Sequence, residues 1–221
     1  MQLLQWQPGP VSAHLPRPGD VDVWRIDFAA IAADASLALL DARERARLER
    51  LRGERHRQRY SVSHAGLRSV LSRYCDLHPE QIGFQFGPRG KPALADHPEV
   101  EFNLTNSGDL ALVAVSAVAV GIDLEWLKPQ REFVSIAKRM FTPEAASAVA
   151  SLAGDARTER FYQEWTCFEA RVKAIGSGLF ADETPAWPAV NFTPAAGAVA
   201  AVAIEHAPAR VRGLLLTDRN A

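Results

Sequence analysis

Three carboxylates and one lysine carry the most specific chemistry in this sequence. Asp123 and Glu125 stand in the run Gly121-Ile122-Asp123-Leu124-Glu125, and Glu169 and Lys173 stand four residues apart in a later aromatic-rich segment. On a strand, residues i and i+2 point to one face, so Asp123 and Glu125 project together while Ile122 and Leu124 pack behind them. Adjacent carboxylates repel unless a cation lies between them, and oxygen ligands favour a hard divalent ion, Mg2+ foremost. The same pair also suits an exposed strand face at a sheet edge. Glu169 and Lys173 are i,i+4 neighbours on a helix, which makes a simple ion pair. Alternatively, Glu169 completes the metal site and Lys173 meets a phosphate beside it.

A second charged feature is basic. Between Asp41 and Arg59 stand Arg43, Arg45, Arg47, Arg50, Arg52, Arg55, Arg57 and Arg59 against Asp41, Glu44, Glu49 and Glu54. This reads either as a solvated helix face with partial i,i+4 pairing or as a surface for phosphate or an acidic partner. Arginine suits both of the latter, because its planar fork donates bidentately to phosphate and to carboxylate.

The elements that must position these groups follow from periodicity and turn signals. Residues 41–59 lack Pro and contain only Gly53, so they are expected to be helical. The amphipathic spacing of Leu67, Val70, Leu71 and Tyr74 continues the helix through 60–74. Gly83, Gly87-Pro88-Arg89-Gly90-Lys91-Pro92 and Asp96-His97-Pro98 are turn signals. Strands are expected at 101–105, 110–116 and 118–125, with a break at Asn106-Ser107-Gly108-Asp109 and the last two strands paired antiparallel across a short turn. Helices are expected at 131–139, 143–152 and 159–175. In the last of these, Phe161, Trp165, Phe168 and Val172 form a buried stripe, and Gly176-Ser177-Gly178-Leu179 is the stop. Residues from 185 onward read as strands. Helices flanking mostly antiparallel strands make the fold class α+β.

Bulk composition bounds the function without defining it. The chain has 221 residues, 48% apolar and 23% charged, with 25 basic against 26 acidic residues for a net charge of -1. No global field marks it as a binder of nucleic acid or membrane, and no aromatic–basic interleaving accompanies the arginines. Cys75 and Cys167 form no C-x-x-C, which argues against a zinc ribbon or a disulfide framework. The start of the chain lacks a basic and apolar export signature, and the apolar run 110–122 falls short of the ~20 residues that cross a bilayer. The expectation is a cytoplasmic globule with no membrane contact.

Four blocks in order make the sequence similar to a known family. They are Gly90-Lys91-Pro92, the run from Phe102 to Ala111, Gly121-Ile122-Asp123-Leu124-Glu125, and Trp165 through Lys173 with the trailing Ala174-Ile175-Gly176-Ser177-Gly178-Leu179. The chain resembles the 4′-phosphopantetheinyl transferases of the surfactin-synthetase-activator type, from about Arg43 to Leu179. A metal-dependent nuclease or phosphatase explains neither Gly90-Lys91-Pro92 nor the order of the blocks.

The resemblance implies two similar α+β halves about a pseudo-twofold axis, residues 1–117 and 118–221, with coenzyme A in the cleft between them. It implies transfer of phosphopantetheine from coenzyme A to a serine of an acyl or peptidyl carrier protein, with release of adenosine 3′,5′-bisphosphate. By position, Asp123, Glu125 and Glu169 are then the Mg2+ ligands, Glu169 is the candidate base, and Lys173 steadies the pyrophosphate. Arg59, Lys91, Pro92, Thr105 and Asn106 fall at coenzyme A positions, and a chain that builds its own cleft is expected to act as a monomer. Two residues depart from the family pattern. Thr105-Asn106 stands where Ser-His is usual, which removes a group able to carry positive charge. Phe168 stands where a lysine usually precedes the glutamate. The competing expectation is a coenzyme A or carrier-protein binding protein of the same fold with impaired transfer.

Overall fold

In the computed structural model, which describes residues 4–31, 33–176, 186–206 and 210–217, the apolar runs form sheets and the charged runs form helices. The first part contains β1 (Trp6–Pro8), β2 (Asp20–Asp27), α1 (Ala33–Leu39), α2 (Ala42–Arg50), α3 (Glu54–Cys75), β3 (Phe84–Phe86), β4 (Pro92–Leu94), β5 (Glu101–Ser107) and β6 (Leu110–Ser116). It continues with β7 (Val120–Trp126), α4 (Phe133–Met140), α5 (Pro143–Ser151), α6 (Gly154–Ile175), β8 (Ala189–Phe192), β9 (Ala198–Ile204) and β10 (Arg210–Leu215). The chain is α+β.

Its layers follow from the alternation of β6. Ala111, Val113 and Val115 enter a core with Trp24, Val70 and Leu71 under α3. Leu110, Leu112 and Ala114 point the other way, into a core shared with Ile122, Leu124 and Val202. A strand with period 2 and two apolar faces must be covered on both sides. The five-stranded sheet β1-β10-β2-β6-β5 therefore lies between α3 and the three-stranded sheet β7-β9-β8. On the outer face of the second sheet, Cys167 and Ala170 of α6 pack on Ala201 and Ala203. The order of layers is helix, sheet, sheet, helix, with α3 and α6 both 22 residues long.

Three expectations are corrected. The strand at 118–125 does not pair with 110–116. β6 already has β2 and β5 on its two sides, so it offers no free edge, and β7 crosses to the second sheet to pair antiparallel with β9. The helix expected across 41–74 is broken, because Gly53 adopts φ 85° and separates α2 from α3. The break expected at Asn106 falls two residues later. Asn106 and Ser107 stay in β5 opposite Ala111 and Leu110, and the turn is Gly108-Asp109.

At the end of the chain, β10 lies parallel between β1 and β2. The first sheet is thus completed by a strand from the second half of the sequence. Ser177, Gly178 and Leu179 of the expected helix stop lie outside the described residues. No helix among the described residues is long and apolar enough to cross a membrane.

Candidate active site

The site is set by the crossing of α6 over β7. A Cβ on Gly121 would lie 2.0 Å from the Ala170 carbonyl oxygen and 2.4 Å from the Ala174 nitrogen. Only glycine permits that approach, and it brings one face of α6 down beside Asp123. Lys173 Nζ donates to Asp123 Oδ1 at 2.5 Å and to Thr105 Oγ1 at 3.4 Å, and lies 3.7 Å from Glu169 Oε2. Thr105 Oγ1 donates to the same Asp123 oxygen at 3.3 Å.

The acids act on one another electrostatically. Burial first, then the charges of Asp123 and Glu169, push the Glu125 carboxyl up to about 7. Burial and the charge of Asp123 raise Glu169, with Lys173 opposing. Asp123 is 3% exposed, and its Oδ2 is buried with no hydrogen-bond partner. A partnerless buried carboxylate oxygen beside two acids pushed towards neutrality fits a hard cation with oxygen ligands. Among the described residues, however, no three acidic, His or Cys side chains form a ready-made metal cluster.

Side chains from the first half complete the site. Asn103 Oδ1, on β5, accepts from the Ile122 backbone N–H at 2.9 Å, and Trp126 Nε1 donates to the Ser107 carbonyl at 2.9 Å. Lys91, beyond the turn between β3 and β4, reaches across to donate to the Ala174 carbonyl at 2.6 Å. Burial lowers its pKa, while Glu101 at 3.6 Å opposes the shift. Lys91, Pro92, Asn103, Glu169 and Lys173 line a cavity of about 290 Å³.

Pro92 also lines a second cavity, of about 400 Å³, between α2, α3 and the β3–β4 hairpin. Arg43, Arg47 and Arg50 stand on its rim, on one face of α2 at i, i+4, i+7 spacing. Arg43 lies over the Phe86 ring at 3.5 Å, and Tyr60 stacks on His64 at 4.0 Å. Burial, then the charges of Glu44 and Asp41, push the Tyr60 hydroxyl up to about 12. The buried guanidinium of Arg68 fixes the start of α2. It donates to Asp41 at 2.6 Å and Glu44 at 2.7 Å, the two residues of the helix's capping box, and to the Ile82 carbonyl at 2.9 Å.

The structure therefore brings together Asp123, Glu169, Lys173, Thr105, Lys91 and Pro92, with Glu125 in electrostatic range. Arg59 and Asn106 do not line either cavity: Arg59 pairs with Asp109 at 3.1 Å, and Asn106 is exposed on β5. Of the expected apolar stripe on α6, Phe161 and Val172 are buried, whereas Trp165 and Phe168 are half-buried. Phe168 lines a different groove with Met140 and Phe141 and packs on Trp165 at 6.2 Å. Both cysteines are buried, and burial pushes each thiol up to about 11, which removes them as nucleophiles at neutral pH. Sequence reasoning missed Asn103 and the arginine cavity. The i, i+4, i+7 spacing of its three arginines was the available signal.

Residues 119–211 match the family model of the 4′-phosphopantetheinyl transferase superfamily. The 4′-phosphopantetheinyl transferase HetI of Nostoc sp. is 34% identical over 90% of this chain and 93% of its own length. A putative 4′-phosphopantetheinyl transferase of Synechocystis is 39% identical over 64% of this chain and 59% of its own length. The 4′-phosphopantetheinyl transferase Sfp of Bacillus subtilis is 35% identical over 51% of this chain and 50% of its own length. The family match begins just before β7 and contains the acids and the lysine of the site, and the similarity to HetI spans both halves. The chain belongs to the 4′-phosphopantetheinyl transferase superfamily and to that class of enzyme.

Proposed function

We propose that this chain transfers 4′-phosphopantetheine from coenzyme A to a serine hydroxyl of an acyl or peptidyl carrier protein and releases adenosine 3′,5′-bisphosphate. One observation carries the reading. The cavity holding Glu169 and Lys173 adjoins, across Pro92, a second cavity rimmed by three arginines and floored by aromatic rings. Coenzyme A has a matching charge distribution, with a pyrophosphate at its middle and a phosphorylated nucleoside at one end. Arg43, Arg47 and Arg50 suit the nucleoside's phosphate, and Tyr60 and Phe86 offer the adenine flat surfaces. Lys173, and Lys91 beside it, suit the pyrophosphate.

In the transfer, the serine Oγ attacks the pantetheine-side phosphorus. The Oγ–P bond forms as the bond from that phosphorus to the bridging oxygen breaks, and its electron pair leaves on adenosine 3′,5′-bisphosphate. Glu169, on the cavity wall, receives the serine proton. Lys173 holds the charge that develops on the phosphoryl oxygens, electrostatic stabilisation of the kind worth roughly 3–4 kcal/mol. Asp123, Glu125 and Glu169 are the residues that would hold Mg2+, which when bound neutralises charge on the pyrophosphate. Thr105 and Lys173 both donate to Oδ1 of Asp123, so this carboxylate serves as the anchor of the site.

The exposed arginines of α2 and the start of α3 suit an acidic carrier helix. A site built wholly within one chain supports a monomeric enzyme, and a coenzyme A donor fits a cytoplasmic location. The test is to incubate the protein with coenzyme A, Mg2+ and several apo-carriers. The carrier is expected to gain one phosphopantetheine mass on its serine, with adenosine 3′,5′-bisphosphate formed in equal amount. Coenzyme A binding without mass gain on any carrier rejects the transfer reading.

A further inference from the structure

The two oxygens of Asp123 are treated differently. Oδ1 accepts from Lys173 at 2.5 Å and from Thr105 at 3.3 Å, whereas Oδ2 is buried and has no partner. The same ammonium lies 3.7 Å from Glu169, so one lysine compensates two of the three acids. Its side chain is 29% exposed and also lines the neighbouring cavity of about 290 Å³. A lysine has a flexible four-carbon stem and three rotatable donors, so it can exchange one anionic partner for another within reach of that cavity.

We propose that Lys173 is the resident counter-ion of this acid cluster and competes with the divalent cation for it. The metal then binds weakly to the free protein and tightly once an anionic substrate has drawn the ammonium off Asp123. This rests on the metal and coenzyme A reading above. Two positive charges within a few ångströms of the same buried carboxylate oppose one another, so each weakens the other's hold on the site. By linkage, coenzyme A raises metal affinity by the factor with which metal raises coenzyme A affinity. Lys173 thereby has a role before chemistry, as the element that makes the two bind together rather than independently.

The test is direct Mn2+ binding to the full chain by calorimetry, with and without coenzyme A, at free Mn2+ held constant against chelation. The wild type is expected to bind Mn2+ weakly alone and roughly tenfold or more tightly with coenzyme A. Lys173→Met is expected to bind Mn2+ roughly ten- to a hundredfold more tightly than wild type without coenzyme A, and to gain much less than wild type when it is added. Lys173→Gln should behave like Lys173→Met, and Lys173→Arg, which keeps the charge, like the wild type. Neutral variants that bind Mn2+ no better than wild type overturn the proposal, as does a wild type indifferent to coenzyme A. Adding Asp123→Asn to Lys173→Met should abolish the tight site. If Mn2+ binding survives that change, the metal lies elsewhere and the ligand assignment itself fails. If no variant binds Mn2+ even with coenzyme A, both the assignment and the proposal fall.

Discussion

Lys91, from the β3–β4 hairpin of the first half, donates a 2.6 Å hydrogen bond to the carbonyl of Ala174, the residue after Lys173 on α6. A side chain of one half thus caps the helix of the other half that presents Glu169 and Lys173. A cation at a helix C-terminus also meets the negative end of its dipole, which adds to the bond.

Removing that cap is expected to loosen the end of α6. Lys91→Met should cost about 2 kcal/mol, the scale of a charge-assisted hydrogen bond. Amide hydrogen exchange in the last turn of α6 should accelerate, and the KM for coenzyme A should rise. Unchanged exchange in that turn would show that Lys91 does not couple the halves.

At Gly121 the absence of a side chain lets α6 lie directly on β7. Gly121→Ala places a methyl group where the Ala170 carbonyl already lies, 2.0 Å away. Helix and strand must separate, at an expected cost of about 3 kcal/mol or more. Urea unfolding measures the loss. Transfer activity should fall further than the residual folded fraction explains, because Glu169 and Lys173 move away from Asp123. A variant with an unchanged urea midpoint would contradict the packing.

The start of α2 depends on Glu44, and this gives a pH signature. Burial alone raises the Glu44 carboxyl, but hydrogen bonds from His64 and the Asp41 backbone and the charge of Arg68 outweigh it and hold it below the ordinary 4.5. A carboxylate depressed in the folded state stabilises above its unfolded value and loses that contribution as pH falls through the folded one. Glu44→Gln should therefore be less stable by about 3 kcal/mol at neutral pH. The gap should narrow as pH drops below 4.5. Melting temperatures of both proteins between neutral and acid pH read this directly, and a gap independent of pH would contradict it.

The arginine cavity makes a claim about which end of coenzyme A it holds. Arg47→Ala should raise the KM for coenzyme A about tenfold, with a much smaller fall in kcat, the pattern of lost uniform binding. With 3′-dephospho-coenzyme A the same substitution should matter far less. Equal effects on both donors would place the phosphate elsewhere.

Particular residues show how much of this was legible in the sequence. The i, i+2 spacing of Asp123 and Glu125 and the i,i+4 spacing of Glu169 and Lys173 are local, and the structure keeps both patterns. That Lys173 pairs with Asp123 more closely than with Glu169 was not legible, because it depends on how far α6 descends over Gly121. β6 and β7 look like a hairpin because both are short apolar runs separated by a few residues. Which strand β7 joins is decided by free edges, and β2 and β5 had already taken those of β6. The arginines at 43, 47 and 50 share a face by simple periodicity, but the cavity they rim requires Arg68 to be buried against Asp41 and Glu44. Residue type gave no sign that Arg68, or Arg73 on the same helix, would be internal.

The central claim is that Asp123, Glu169 and Lys173 perform phosphopantetheinyl transfer, and single-turnover intact mass measurement on an apo-carrier tests it most directly. Wild-type protein is compared with Glu169→Gln under saturating coenzyme A and Mg2+. The wild type is expected to convert the carrier's serine to its phosphopantetheine adduct, and the variant to do so more slowly by at least about a hundredfold, the lower range for loss of a positioned acid–base group. Conversion by Glu169→Gln at the wild-type rate, or no conversion by the wild type, would contradict the account.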